Sequence, residues 1–205
     1  SKILANGTVV YYNPETNKKC TSAEAVSTTG TKTGCMRWYA FNDEGTDIIN
    51  LLLDHNTTAK VTWASSGTNT NDSVEVKAQL ESDTSSWNKS INPRLIEESE
   101  IVRITGNTAG SDAYYFHTNS NTPYEGAAGT NKYAWLFDNT KDCTRFGCNV
   151  ADSSNEGYWT GNVYSGNFYL NGIVNNYGFF FRYYLDTDNY GIRPVITVDK
   201  ALLMS

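Results

Sequence analysis

The side chains with the most reactive chemistry are four cysteines and two histidines. Cys20 and Cys35 form one local pair, and Cys143 and Cys148, within Cys143-Thr-Arg-Phe-Gly-Cys148, form a second. Four cysteines allow three disulfide connectivities. Local pairing is the most economical, because each pair brackets a loop rich in Gly and Thr, and closing a loop of ~15 residues stabilises by roughly 3 kcal/mol in the chain-entropy picture. Free buried thiols are the next reading. Zinc is the weakest, since His55 and His117 stand far from any CxxC-like spacing. Disulfides imply an exported protein.

Nucleophilic or cofactor chemistry finds little else to work with. There is no Gly-x-Ser-x-Gly elbow, no phosphate loop and no dinucleotide fingerprint. His55 sits in Asp54-His55-Asn56 at the end of an apolar run. It reads as a hydrogen-bonded structural histidine at a strand end rather than a catalyst. His117 follows an aromatic run and reads the same way. The carboxylates are scattered, and Glu97-Glu98-Ser99-Glu100 is most simply a solvated helix start. Asn56-Thr-Thr58, Asn71-Asp-Ser73 and Asn88-Lys-Ser90 match the glycosylation pattern, which chance supplies in a chain this rich in Asn, Ser and Thr. No catalytic residue, cofactor or metal is expected.

Recognition chemistry is better represented. Residues 158–191 hold 7 of the 14 tyrosines and 4 of the 8 phenylalanines, interleaved with Asn162, Asn167, Asn171, Asn175, Asn176 and Asn189. Phe179-Phe180-Phe181 and Tyr183-Tyr184 cannot all point inward from one strand, because alternate residues face opposite sides. Aromatic rings displayed among Asn, Ser and Asp have the composition of a binding surface. From Thr160 to Ile192 there is also no Lys, Glu, Gln, Met or Trp. At the chain's average usage, a stretch of this length holds about four or five of them. No codon for any of these five types ends in a pyrimidine. An Asn codon ending in C, randomised at its two adenines, reaches Tyr, Phe, Ser, Asp, Gly, Ile, Arg and Leu, but never these five or a stop.

The elements that must position such a surface follow from the rest of the chain. Its 205 residues suit one domain, 1–205, with no evident linker or repeat. The net charge of −6 and pI near 4.9 argue against nucleic acid or an anionic membrane as the main partner. Mean hydropathy is −0.49, and no apolar run approaches the ~18 residues that span a bilayer. Ser1 begins the sequence without an initiator Met or a leader pattern, so an upstream leader or anchor is expected. Strands are predicted at Thr8–Tyr12, Cys35–Phe41, Asp47–Leu53, Ala59–Trp63, Tyr133–Phe137, Tyr158–Val163, Asn167–Val174, Phe179–Leu185 and Ile192–Val198. Pro194 should interrupt the last strand or place it at an edge. Helices are predicted at Ser73–Leu80 and, with acidic residues at its start and Gly106 as a stop, at Glu97–Ile104. Many strands, two short helices and long loops make an α+β domain.

Gly157-Tyr-Trp-Thr160, together with the closing Tyr190-Gly-Ile-Arg-Pro-Val-Ile-Thr197, resembles the end of the C-type-lectin-like variable proteins of diversity-generating retroelements. Trp38-Tyr39, Leu53-Asp-His-Asn-Thr-Thr-Ala59, Arg94-Leu-Ile96 and Tyr133-Ala-Trp-Leu136 are similar to an uncharacterised surface or pilus-associated domain of gut Firmicutes with the same ending. The resemblance implies a C-type-lectin-like fold with a small twisted antiparallel sheet. It also implies an exported or cell-surface location, and a C-terminal cassette, about 160–190, in which reverse transcription mutates adenines. Relatives carry small residues after the Trp-Thr; Gly161-Asn162 stand there in this chain, as a diversified position would show. The calcium-dependent sugar motif is not matched, because Asn92-Pro93 lacks the preceding Glu.

On this reading Val174, Phe180 and Leu185 are apolar ribs of the cassette, and Trp159, Arg193 and Pro194 are framework. The displayed, ligand-binding positions are Asn162, Tyr164, Ser165, Asn167, Tyr169, Asn171, Ile173, Asn175, Asn176, Tyr177, Phe179, Phe181, Arg182, Tyr183, Tyr184, Asp186, Asp188 and Asn189. Asp186-Thr-Asp188 could open a calcium loop, but its neighbours supply too few oxygens, and two Asn codons changed to Asp are the simpler account. The expected function is a binding module for a protein or glycan on a cell or phage-host surface. A structural pilus or coat subunit is the first alternative, and a formylglycine-generating type of oxidase, which would need reactive cysteines, is the second.

Overall fold

The computed structural model describes residues 2–25, 34–63, 74–106, 113–115, 133–137, 157–163, 170–175, 179–184 and 189–204. They form a mixed α+β arrangement of two sheets with short helices packed on them.

The first sheet is built from the N-terminal half and the last strand. β1 (Thr8–Asn13), β2 (Lys18–Lys19), β3 (Met36–Phe41) and β4 (Ile48–Leu53) pair antiparallel with their neighbours. β5 (Thr58–Thr62) leaves for the second sheet. Further along come β6 (Ala113–Tyr115), β7 (Gly157–Val163), β8 (Leu170–Asn175), β9 (Phe179–Tyr184), β10 (Asn189–Ile192) and β11 (Val195–Asp199). The strand orders are β11-β4-β3-β1-β2 and β5-β10-β7-β8-β9-β6. Arg193-Pro194 divides the predicted final strand into β10 in one sheet and β11 in the other, and β11 is an edge strand. The proline therefore has both predicted effects. It lacks an N–H, so the ladder breaks there and the chain can change sheets.

Two predicted helices are present. α2 (Val74–Asp83) runs three residues past its predicted end. α3 (Glu98–Thr105) begins where Glu100 accepts a hydrogen bond from the Glu97 amide, and ends at Gly106 in the left-handed conformation, φ 72°. Shorter turns lie at α1 (Ser22–Ala25), the 3-10 turn η1 (Lys89–Ile91), α4 (Ala134–Phe137) and α5 (Ala201–Met204). The strand predicted at Tyr133–Phe137 is thus a helical turn. Leu136 N and Phe137 N both donate to Tyr133 O, and both side chains are buried. A five-residue apolar run has no period long enough to separate a buried strand from a buried helical turn.

Sheet pleat divides the core. Phe41, Leu52 and Val195 of the first sheet meet Tyr158 of the second, with Ile96, α3 and α4 filling between them. The other face of the first sheet, including Trp38, Leu51, Leu53 and Ile196, packs on Trp87, Ile91 and α5. Behind the second sheet, Trp159, Tyr190 and Ile192 pack with Trp63 and Val76, the latter on α2.

Candidate functional site

The region expected to carry recognition is rooted in buried framework at both ends. Tyr158, Trp159 and Thr160 are fully buried at its start, and Tyr190, Gly191, Ile192 and Arg193 are buried at its close. Gly191 and Tyr158 are register partners in the parallel pairing of β10 with β7, so the two ends meet at the base. Glycine is required at 191 because an added β-carbon would land on the Asn56 amide nitrogen. Asn56 Nδ2 in turn donates to Gly157 O at 3.2 Å. Asn56 is therefore a buried framework residue, and its glycosylation pattern is inaccessible.

Arg193 ties this base to the rest of the molecule. It has no exposed surface, and its guanidinium donates to four backbone carbonyls: Leu53 at 2.6 Å, Trp135 at 2.7 Å, Leu136 at 2.9 Å and Asp54 at 3.2 Å. It also lies 5.0 Å from the centre of the Tyr158 ring, whose hydroxyl donates to Leu136 O at 2.5 Å. Burial pushes the Tyr158 hydroxyl up to about 12, against the pull of Arg193. Next to this hub the Tyr39 hydroxyl donates to Asp54 Oδ1 at 2.5 Å, and His55 Nδ1 lies 3.6 Å from Asp54 Oδ2. Burial raises the Asp54 pKa, but His55 and Tyr39 outweigh it and hold the carboxyl below its ordinary value. His55 is 2% exposed, and its place beyond β4 is that of a framework histidine.

Between the rooted ends, β8 and β9 form six consecutive antiparallel pairs from Leu170–Tyr184 to Asn175–Phe179. Asn162 lies on β7; Asn171, Ile173 and Asn175 on β8; Phe179, Phe181, Arg182, Tyr183 and Tyr184 on β9. Tyr158, Val174, Phe180 and Tyr114 occupy one row of the register, and Trp159, Ile173, Phe181 and Ala113 the next. Val174 and Phe180 share the row of Tyr158, buried between the sheets, and Ile173 and Phe181 share the row of Trp159, buried behind the second sheet. Arg182 and Tyr184 have the same alternation as Phe180, whereas Phe179, Phe181 and Tyr183 have the opposite one. The candidate residues of β9 therefore divide between two faces. Asn189 begins β10, is exposed, and accepts a 2.7 Å hydrogen bond from the Thr62 hydroxyl. Tyr164, Ser165, Asn167, Tyr169, Asn176, Tyr177, Leu185, Asp186 and Asp188 lie outside the described residues, as do His117, Cys143 and Cys148.

A β-carbon at Gly161 would meet the Glu97 carboxylate, the far end of a flexible side chain, which would have to shift. The Gly161 amide donates to Ile96 O at 2.9 Å. Burial and the neighbouring Glu100 raise the Glu97 pKa. Cys20 and Cys35 are disulfide-bonded across a Cα–Cα distance of 6.0 Å, tying the end of β2 to the start of β3. Among the described residues, no cluster of His, Cys, Asp or Glu could hold a metal ion, and no helix is long and apolar enough to cross a membrane.

The hub around Arg193 was not read from the sequence as a unit. Its one signal is a lone arginine inside the apolar stretch Tyr190 to Val198, which implies a buried and fully hydrogen-bonded cation. The chain matches no protein-family model, no curated protein and no solved structure.

Proposed function

We propose that the chain is a non-enzymatic binding protein, presenting a variable recognition surface on β7, β8, β9 and the segments that join them. The observation that carries this reading is the rooting of the region. Its ends are buried and bonded to the core, while β8 and β9 are held to each other by a backbone ladder. Ladder hydrogen bonds use main-chain groups, so side chains can vary without loss of the frame. Tyr and Phe then supply rigid contact area, and Asn and Asp adaptable hydrogen bonds. The missing residue types between Thr160 and Ile192, and the closing Gly-x-Arg-Pro-Val-Ile, support diversification by a retroelement on a C-type-lectin-like domain. The Cys20–Cys35 disulfide fits an oxidising compartment and supports export to a cell surface, where the ligand is a protein or glycan.

A binding screen against host and bacterial surface material, with and without chelator, tests this reading. Binding should survive chelator and weaken by about thirtyfold or more when Tyr164, Tyr177 and Tyr183 are all changed to Ser. Binding that survives the triple change would move the site elsewhere, and loss to chelator with recovery in calcium would overturn the metal-free surface. A near-identical copy of the last ~100 bases differing only at adenines, beside a reverse transcriptase gene, is the corresponding genomic observation.

A further inference from the structure

We propose that the outer edge of β11 is a second binding site, which takes an extended peptide strand by backbone pairing. β11 ends the first sheet. On the side away from β4, Val195 N donates to Arg94 O at 2.7 Å and Arg94 N to Val195 O at 2.9 Å. On the β4 side, Pro194 O accepts from Leu53 N, and Lys200 N donates to Asp47 O. Backbone groups alternate along a strand, so Ile196 and Val198 face β4 while Thr197 and Asp199 face outward. The pairing begun by Arg94 stops there. The residue that would come next opposite Thr197 is Asn92, which is left-handed at φ 46° and closes η1.

Among the described residues no strand pairs with this edge, and a groove of about 550 Å³ is lined by Thr197 and Asp199 of β11. Ile91 and Leu202 line it on the Val198 face of the sheet. Ile48, 55% exposed, and Asp199 are register partners on the opposite face. Arg94, which also lines the groove, is ion-paired with Glu100 at 2.6 and 2.8 Å, whereas Asp199 accepts only a neutral backbone donor, the Ala201 amide at 2.9 Å, among the hydrogen bonds of the described residues, so its negative charge is the one that an occupant meets. The chemistry therefore selects a single extended strand of alternating character. Apolar side chains go to Ile91 and Leu202, and a Lys or Arg goes opposite Asp199. Ser90 and Asn92 line the groove on the side away from β11.

The site is independent of the proposed surface on β7–β9, the ribbon, and is tested with an acetylated, amidated Thr-Val-Lys-Val-Thr peptide. In the free protein the Thr197 amide should exchange quickly and those of Ile196 and Val198 slowly. On titration to about 1 mM the shifts should centre on Thr197 and Asp199. Methylating the peptide amide nitrogens that face β11, or making Thr197→Pro at this edge, should weaken binding about tenfold or more. Ligand binding by the ribbon should be unchanged in Thr197→Pro. A Thr197 amide already protected in the free protein would overturn the proposal, as would the absence of shifts at Thr197 and Asp199. So would equal binding of the methylated peptide to the unmodified chain. Concentration-dependent dimerisation abolished by Thr197→Pro would place a second copy there and also overturn it.

Discussion

The β8–β9 pair and the β10–β11 segment are both aromatic or apolar β structure near the C-terminus, and both are held by backbone pairing, β8 to β9 over six pairs and β11 to β4 over five. β10 and β11 are also fixed by side chains: Arg193 on four carbonyls, Trp159 edge-on to Tyr190 at 5.2 Å, and Gly191 against Asn56. This segment specifies its residues, because each one meets a shaped or polar neighbour. Under the proposed function, β8 and β9 need keep only the alternation that their pairing imposes. A chain that must vary a surface and keep its fold benefits from placing the two side by side, with the specified segment closing the base of the permissive one.

The sharpest test of this contrast uses two arginines. Arg193→Ala should cost about 3–5 kcal/mol in urea denaturation, because it leaves buried carbonyls without their donor. Arg182→Ala on β9 should stay within about 0.5 kcal/mol. Equal losses would erase the distinction between the segments. Within β9, Phe180→Ala should cost about 3–5 kcal/mol, since Phe180 shares the register row of buried Tyr158, while Tyr183→Ser should be nearly neutral. Thermal melts giving the reverse order would invert the division into ribs and displayed residues.

Smaller effects sharpen the boundary. Reducing Cys20–Cys35, separated by 15 residues, should cost roughly 3 kcal/mol and leave ligand binding by the ribbon intact. Gly161→Ala should cost about 1 kcal/mol by displacing Glu97 at the start of α3; a neutral result would return position 161 to the permissive set. The last effect is acid sensitivity. Burial pushes the Asp43 carboxyl up, but the Leu4 amide, Lys200 Nζ at 2.7 Å and the Gly45 amide outweigh it and hold it at about 2, against an ordinary 3.8. A depressed carboxylate stabilises the fold above its unfolded pKa, so this contribution is present above about pH 4 and fades as pH falls through 2. Asp54 acts in the same direction. Asp43→Asn should flatten the acid limb of a stability profile between pH 4 and pH 2 without changing the ribbon.

Local signals in the sequence were sufficient where one residue type has one physical use. Glu100 and Gly106 bound α3 because a carboxylate satisfies the first amides and only glycine enters the left-handed cap cheaply. Pro194 broke the last strand because it has no N–H to give. Alternation and β-branched content found β1, β3, β4 and β5 to within a residue or two. The α+β class and the Cys20–Cys35 pairing were legible on the same terms.

What the sequence could not give depends on partners far along the chain. Tyr133–Phe137 reads equally well as strand or helical turn, and the carbonyls of Trp135 and Leu136 are claimed by an arginine nearly sixty residues later. That a β-carbon at Gly161 would meet Glu97, and that Asn56 is buried framework rather than a glycosylation site, follows only from which backbones approach each other. The same holds for β9: strand alternation places neighbouring residues on opposite sides, but only its register with β8 and β7 decides which of them shares a row with Tyr158. Period and propensity are properties of a segment, whereas burial and hydrogen-bond satisfaction belong to pairs of segments, and only the folded chain brings those pairs together.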